Sequence, residues 1–197
     1  RVVGYLPHVP DTIAARLAAV SLGATWCSCS PVFGVQGVPD RFGQIAPKVL
    51  CIVDGYYYGG KGHDCLGKAR EIMRQLPSVS RAVVIPYAGS PIDAATVPNA
   101  LSFADFIGDF AARDIAFARP PFDHPLYSMF TAGTTGVPKR AAHRVGGVLL
   151  KQVSELLLHC DIKPDDRVFY FTTCGWMMWN RLAVALAVEA TLLLHDG

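Results

Sequence analysis

Charge is scarce in this sequence. Asp, Glu, Lys and Arg make up 17% of the 197 residues, against 51% hydrophobic residues, and mean hydropathy is +0.30. That balance is apolar for a free-standing soluble domain. Neither sign of charge dominates: the formal net charge is +2, which argues against a nucleic-acid binder or a polybasic membrane surface. Long apolar runs are missing too. None reaches the roughly 18 residues a spanning helix needs, and the longest candidate, residues 182–194, is interrupted by Glu189. Paired cysteines are absent: Cys27, Cys29, Cys51, Cys65, Cys160 and Cys174 include no Cys-x-x-Cys spacing. Most lie in apolar stretches, where free Cys behaves as a small hydrophobe, so a reduced, cytoplasmic setting fits. His159-Cys160 and Cys27-Ser28-Cys29 have no second ligand cluster beside them, so no metal site is expected from protein side chains. The P-loop signature of Gly, four residues, then Gly-Lys-Ser/Thr is lacking, and the first residues show no signal-peptide pattern. The chain opens in a strand pattern at residues 1–6 and stops just after another at 191–194. The expectation is an internal segment of a longer protein.

What is present is an alternation of strand and helix patterns. Residues 2–6 read as a buried strand. Asp11 is placed to cap a helix with Ile13, Leu17 and Val20 on its apolar face. Gly23 ends it and residues 24–30 form the next strand. A short helix at 39–46, a strand at 49–53 and an aromatic, glycine-rich loop at 54–62 follow. Residues 65–76 read as helix, 81–85 as strand and 87–100 as a connector. Ser102 is placed to cap a helix with Phe103, Phe106, Ile107 and Phe110 on one face. A proline-stiffened loop at 119–125 leads to a strand at 126–130. After a loop, 139–143 reads as a return strand. A helix is expected over 147–160 with Leu149, Val153, Leu156 and Leu157 inward, then a turn at 164–166, a strand at 167–173, a helix at 175–188 and a strand at 191–194. This order implies an α/β fold: doubly wound, mostly parallel sheets with flanking helices. Ligands in such folds bind at loops beyond the carboxyl ends of strands. The loops at 131–139 and 172–176 both leave strands at such ends.

The first of these loops is Thr131-Ala132-Gly133-Thr134-Thr135-Gly136-Val137-Pro138-Lys139. Gly133 and Gly136 can take backbone angles closed to other residues and allow close approach of phosphate oxygens. Thr131, Thr134 and Thr135 offer hydroxyl donors. Pro138 stiffens the exit, and Lys139 supplies a point charge suited to phosphate. Such a loop can cradle a polyphosphate. Its spacing equally suits a tight Gly/Thr turn with no ligand.

The same nine residues resemble the phosphate-binding signature of the adenylate-forming superfamily, which includes acyl-CoA synthetases, luciferases and peptide-synthetase adenylation domains. Phe122-Asp123-His124-Pro125-Leu126-Tyr127 before the loop is similar to the acetoacetate–CoA ligases of that superfamily. So is Phe169-Tyr170-Phe171-Thr172-Thr173-Cys174-Gly175-Trp176-Met177-Met178-Trp179-Asn180 after it. Upstream, Ser28-Cys29-Ser30-Pro31, 33–38 and 40–45 carry the same likeness. The resemblance covers essentially the entire chain. It implies a two-step ligase of lipid and fatty-acid metabolism with ATP, CoA and acetoacetate as small-molecule substrates and Mg²⁺ bridging phosphate oxygens. A carboxylate attacks the α-phosphate of ATP, giving an acyl-adenylate and pyrophosphate; the CoA thiol then displaces AMP. In this reading Thr131, Gly133, Thr134, Thr135, Gly136 and Lys139 hold the β- and γ-phosphates, and Trp176, Met177 and Met178 line the acyl pocket. Spacing alone allows Trp176 to Trp179 to be core packing at a helix start. The resemblance favours the pocket for Trp176 and leaves Trp179 open. It implies that the chain is part of a large N-terminal AMP-binding domain. A first portion at 1–118 and a phosphate-loop portion at 119–197 are expected, with the C-terminal domain and its adenylation lysine beyond residue 197.

No residue of the chain is given a catalytic role. His143 lies where the family often has a histidine and receives none. Asp123-His124 reads as structural, because adjacent residues of an extended segment point to opposite sides. The chain departs from the family at Ala132, usually serine, at Arg140, at Arg181, usually aromatic, and at Glu189, usually glycine. A hydroxyl missing at Ala132 weakens phosphate binding by about 1 kcal/mol unless Thr131 compensates. Glu189 costs stability if its backbone must be left-handed. The 197 residues alone are expected to be inactive. Two other readings stay open: an acetyl- or other short-chain acyl-CoA synthetase, and a nucleotide-binding module without catalysis.

Overall fold

The computed structural model describes residues 1–89, 93–131 and 136–197. Its main sheet has seven strands: β1 (Val2–Tyr5), β2 (Trp26–Cys29), β3 (Val49–Val53), β6 (Arg81–Ile85), β7 (Ala100–Ser102), β8 (Pro125–Thr131) and β9 (Lys139–Arg144). The spatial order is β7-β6-β3-β1-β2-β8-β9. Every pairing is parallel except β8 with β9, which is antiparallel. Two further strands, β4 (Gly55–Tyr58) and β5 (Lys61–Asp64), form a separate hairpin. The last two, β10 (Arg167–Phe169) and β11 (Thr191–Leu193), pair in parallel outside the main sheet.

The central strands read as continuous apolar runs because both their faces are covered. Val3, Tyr5, Trp26, Leu50 and Ile52 are fully buried. The chain leaves β1 for β2 on one side, then crosses back to β3 on the other. The connections from β1 and β3 therefore depart in opposite directions, which opens a crevice at their carboxyl ends. Among the described residues, no helix is long and apolar enough to cross a membrane.

The helices are α1 (Pro10–Ser21), α2 (Pro39–Phe42), α3 (Leu66–Gln75), α4 (Phe103–Gly108), α5 (Val145–Ser154) and α6 (Met177–Val184). Their inward faces differ from expectation in three cases. In α1, Asp11 lies in the first turn but makes no capping bond, and the cap position is Val9 followed by Pro10. The buried row is Thr12, Ile13, Arg16 and Ala19, while Leu17 is 43% exposed. Thr12 sets this rotation by donating to the Pro7 carbonyl. In α5 the inward row is Val148, Gln152 and Leu156, the last in a π-helical extension over Glu155–His159; Leu149 and Leu157 are exposed. Gly146 fixes that docking. A Cβ there would lie 2.1 Å from the Phe122 ring, so only glycine lets the start of α5 meet the 119–125 loop. In α4, Ser102 caps as expected, accepting from the Asp105 N–H, yet Phe106, Ile107 and Phe110 are exposed.

The glycine-rich stretch after β3 is an antiparallel hairpin, not a loop. Gly59 and Gly60 both have positive φ, which the tight two-residue turn between β4 and β5 requires. The strand expected over 167–173 ends at Phe169, and 170–176 runs as irregular chain. Glu189 caps the 3₁₀ turn Ala185–Val188 with φ 62 and ψ 22, a left-handed residue. Glu189→Gly is expected to raise stability by roughly 0.5–1 kcal/mol, read as a higher midpoint in urea unfolding of the full-length protein.

Candidate functional site

Two loops meet the carboxyl end of the sheet. The first is the turn between β8 and β9. Thr131 and Lys139 face each other across that hairpin as its last pair, and both are exposed. Gly136 has φ +93, the conformation for which glycine was expected there. Gln44 donates to the Pro138 carbonyl at 2.8 Å and so ties the loop exit to the segment after α2. Gly133, Thr134, Thr135 and the departure at Ala132 lie outside the described residues.

The second loop, 172–176, is pinned to the strands beneath it. The buried Cys174 thiol donates to the Leu6 carbonyl, and the Ser28 hydroxyl donates to the Cys174 carbonyl at 2.6 Å. Burial pushes the Cys174 thiol well above its ordinary range, so it stays a neutral donor. The Trp176 N–H closes the loop on the Thr173 carbonyl at 3.0 Å. Trp176 then occupies the cap position of α6 with its side chain 62% exposed.

Between this loop, the β4–β5 hairpin and the carboxyl ends of β1 and β2 lies a cavity of about 880 Å³. Trp176 and Met178 line it, with Tyr56 and Tyr58 of the hairpin, Tyr170 and His8. It holds the crevice that the strand order opens. Met177 does not share this cavity. It lines an adjacent cleft of about 470 Å³ with His143, Lys151, Gln152 and Arg181. Trp179, left open by the sequence, is fully buried. It packs on Arg16, whose guanidinium carbon lies 5.8 Å from the Trp179 ring and 5.7 Å from the Tyr127 ring.

The other singled-out residues have structural partners. His143 stacks on Tyr127 with ring centroids 5.0 Å apart. His124 Nε2 is bonded to the Gly23 carbonyl at 2.9 Å, while Asp123 faces Arg144; the two side chains serve different neighbours. Arg181 reaches Glu155 and the Cys160 sulfur. Lys151 and Arg181 together hold the Glu155 carboxyl below its ordinary range, with Lys151 the larger cause.

Sequence reasoning missed His8. It is 4% exposed and lines the cavity. Burial lowers its pKa, the neighbouring His195 adds to this, and the Thr172 carbonyl opposes it. The tyrosines of the hairpin were missed with it. The available signal was the Gly59-Gly60 pair inside an alternating aromatic stretch.

Comparison with known proteins matches the whole chain. The model of the family of AMP-binding enzymes covers residues 1–197. An acetoacetyl-coenzyme A synthetase of Rhizobium meliloti (strain 1021) is 52% identical over 198 residues, covering all of this chain and 30% of the relative. An acetoacetyl-CoA synthetase of Gallus gallus is 45% identical over 203 residues, again across the entire chain and 30% of the relative. The solved structure of an acetoacetyl-CoA synthetase from Streptomyces lividans superposes with a TM-score of 0.93 at 41% identity, over all of this chain and 30% of that one. The chain thus spans about 30% of the length of the curated relatives it matches, and the mostly parallel sheet with flanking helices is theirs.

Proposed function

The chain belongs to the family of AMP-binding enzymes, and from that premise we propose that the protein it is part of joins acetoacetate to CoA at the expense of ATP, releasing AMP and diphosphate. The observation that carries this reading is the seating of Trp176 and Met178 on one cavity at the carboxyl ends of β1 and β2. The β8–β9 turn with Lys139 leaves the same end of the sheet. Relatives named acetoacetyl-CoA synthetase, at 52% and 45% identity, support the choice of acid.

In this mechanism the acetoacetate carboxylate attacks the α-phosphate, and diphosphate leaves. Negative charge gathers on the leaving group. Fixed N–H and hydroxyl donors with one cation stabilise it most where they are already in position. Thr131, Gly133, Thr134, Thr135, Gly136 and Lys139 take that role. Mg²⁺ arrives on the phosphates of ATP as part of the substrate and offsets their charge. Hydroxyl and ammonium groups of the loop suit the phosphate oxygens rather than the metal. Trp176 closes the acyl pocket over a short chain, and the flexible Met178 adapts around it, while Met177 lines the neighbouring cleft. The CoA thiol then displaces AMP from the acyl-adenylate. Residues 1–118 and 119–197 act as parts of one AMP-binding domain, and the 197 residues alone form no acyl-adenylate. The protein works in the cytoplasm, which suits its six free cysteines, five of them buried.

The test is diphosphate release by the full-length protein with ATP and Mg²⁺, offering acetoacetate, acetate or 3-hydroxybutyrate. Release chiefly with acetoacetate is expected. Release chiefly with acetate keeps the mechanism and moves the substrate to a shorter acid. A folded, full-length protein that releases no diphosphate with any of them is not a ligase.

A further inference from the structure

The segment after β11 is held against the cavity by its neighbours. Leu193 pairs with Phe169 in parallel, so residues 194–197 leave this strand pair at the same end as the 172–176 loop. Asp196 Oδ2 accepts from the Tyr57 N–H at 3.3 Å, which ties the segment to the β4–β5 hairpin. His195 turns to a different neighbour: its ring lies 6.1 Å from the Phe171 ring, tilted by 36°. His195 is exposed and lines the cavity of about 880 Å³ together with Trp176 and Met178. Among the described residues its ring nitrogens form no hydrogen bond.

The second step of the proposed reaction brings a thiol to the acyl carbon, and the acyl group sits in this cavity. A cavity of this size takes a drug-sized ligand, so a four-carbon acid leaves room for the arm that carries the thiol. A thiol is mostly protonated at neutral pH, while the thiolate is the nucleophile. An adjacent base therefore activates it. Besides His195, the titratable side chains on the described walls are His8, Tyr56, Tyr57, Tyr58, Tyr170 and Asp196. Phenols are protonated near neutrality, and carboxylates are weak bases toward a thiol. Asp196 is also engaged with the hairpin. His8 is 4% exposed, its Nε2 is buried, and its ring is bonded to the Thr172 carbonyl. Histidine is the side chain whose ordinary pKa falls near neutrality, and His195 is the histidine that the cavity can reach. After burial, His195 is the second cause that lowers the His8 pKa, so a proton on His195 keeps His8 neutral.

We infer that His195 is the base of the thioester-forming step. The inference rests on the ligase reading above and concerns its second half alone. The thiol sulfur attacks the acyl carbon of the adenylate, and the S–H proton passes to a ring nitrogen of His195. The C–S bond forms as the bond from the acyl carbon to the AMP phosphate oxygen breaks. The electron pair of the broken bond leaves with AMP. The imidazolium then returns its proton to solvent. Adenylate formation does not use this group, since a carboxylate attacks the α-phosphate without losing a proton.

The experiment separates the two half-reactions in the full-length protein, in His195→Gln and in His195→Ala. The first half is acetoacetate-dependent exchange of labelled diphosphate into ATP, with Mg²⁺ and without CoA. The second is single-turnover transfer from the preformed acyl-adenylate to CoA. His195→Gln is expected to slow transfer by about a hundredfold or more and to leave exchange within about twofold. Its transfer rate climbs with pH as the free thiolate does, whereas the unaltered protein levels off at lower pH. Added imidazole restores part of the transfer in His195→Ala, which a role in packing on Phe171 alone does not allow. Exchange reports that each variant is folded. An unchanged transfer rate in both variants, or equal losses in the two half-reactions, overturns the inference and leaves the ligase standing. An unaltered protein that shows no exchange with acetoacetate, acetate or 3-hydroxybutyrate removes the ligase reading and the inference with it.

Discussion

Asp54→Ala is expected to cost the protein about 4 kcal/mol, the largest single loss foreseen here. Asp54 is fully buried directly after β3. Its Oδ1 accepts three backbone N–H groups: Gly55 at 2.9 Å, Tyr87 at 2.8 Å and Ala88 at 2.9 Å. One carboxylate oxygen thereby fixes the entry to the β4–β5 hairpin and the turn after β6. Alanine removes the acceptor that these three N–H groups share. Asp54→Asn keeps an acceptor oxygen and gives up the charge, so about half that loss is expected. Urea unfolding of the full-length variants, read as the shift in midpoint, checks both. A loss below about 1 kcal/mol in the alanine variant would mean that water replaces the carboxylate. The hairpin walls one side of the cavity, so the alanine variant is also expected to weaken substrate binding before it unfolds.

Arg16→Met is expected to move stability the other way, by about 3 kcal/mol. Arg16 is 4% exposed. Among the described residues it forms no salt bridge, and its Nε has no partner. Two aromatic rings are its compensation, and ring faces return only about 2 kcal/mol to a desolvated cation. Burial pulls its pKa from the ordinary arginine range down to about 10, with Tyr127 opposing the shift. A shift of that size corresponds to about 3 kcal/mol. The sign follows from proton counts. Below pH 10 both folded and unfolded chains carry the proton, and the folded chain bears the full penalty. Between pH 10 and the ordinary arginine value the unfolded chain holds more protons, so stability rises with pH there. Methionine fills a similar volume without charge, and such exchanges for buried ions are often stabilising. The variant should therefore raise the unfolding midpoint at pH 7 and flatten the pH dependence above 10. A fall in stability would show that the ring contacts outweigh desolvation.

Arg16 also marks the limit of what the sequence disclosed. The apolar runs of β1, β3 and β6 announced buried parallel strands, and the structure has them at those positions. Gly23 and Gly136 were read as turn residues and both have positive φ. The backbone requirement at Glu189 was foreseen and is met by a left-handed glutamate. The faces of α1 and α5 were not legible, because a helix rich in Ala, Leu and Val offers several apolar rows and tertiary packing selects one. For α1 the chosen row contains an arginine, which no hydrophobic pattern nominates. The hairpin after β3 was misread because its aromatics resemble a loop lining when the glycine pair is ignored. Within the candidate site, Trp176 and Met178 came from motif resemblance and share the cavity. Met177 turned to the neighbouring cleft, since successive residues at a helix start point in different directions. His8 had no signal in the sequence at all. Its place follows from the strand order, which sets the loop after β1 against a loop more than a hundred residues later.

That last juxtaposition governs the order in which the molecule can assemble. The two bonds that pin the 172–176 loop span 168 residues, from Cys174 to Leu6, and 146, from Ser28 to Cys174. Closing chain segments that distant is entropically costly and slow. During synthesis β1, α1, β2 and β3 can dock on one another while the later loop is still unmade. The ligand-facing surface is therefore a late arrival on an early platform. Until residue 174 emerges, Leu6 and Ser28 wait at the sheet's carboxyl edge without their partners, and a nascent chain stalled short of that point exposes that edge to whatever else can bind it.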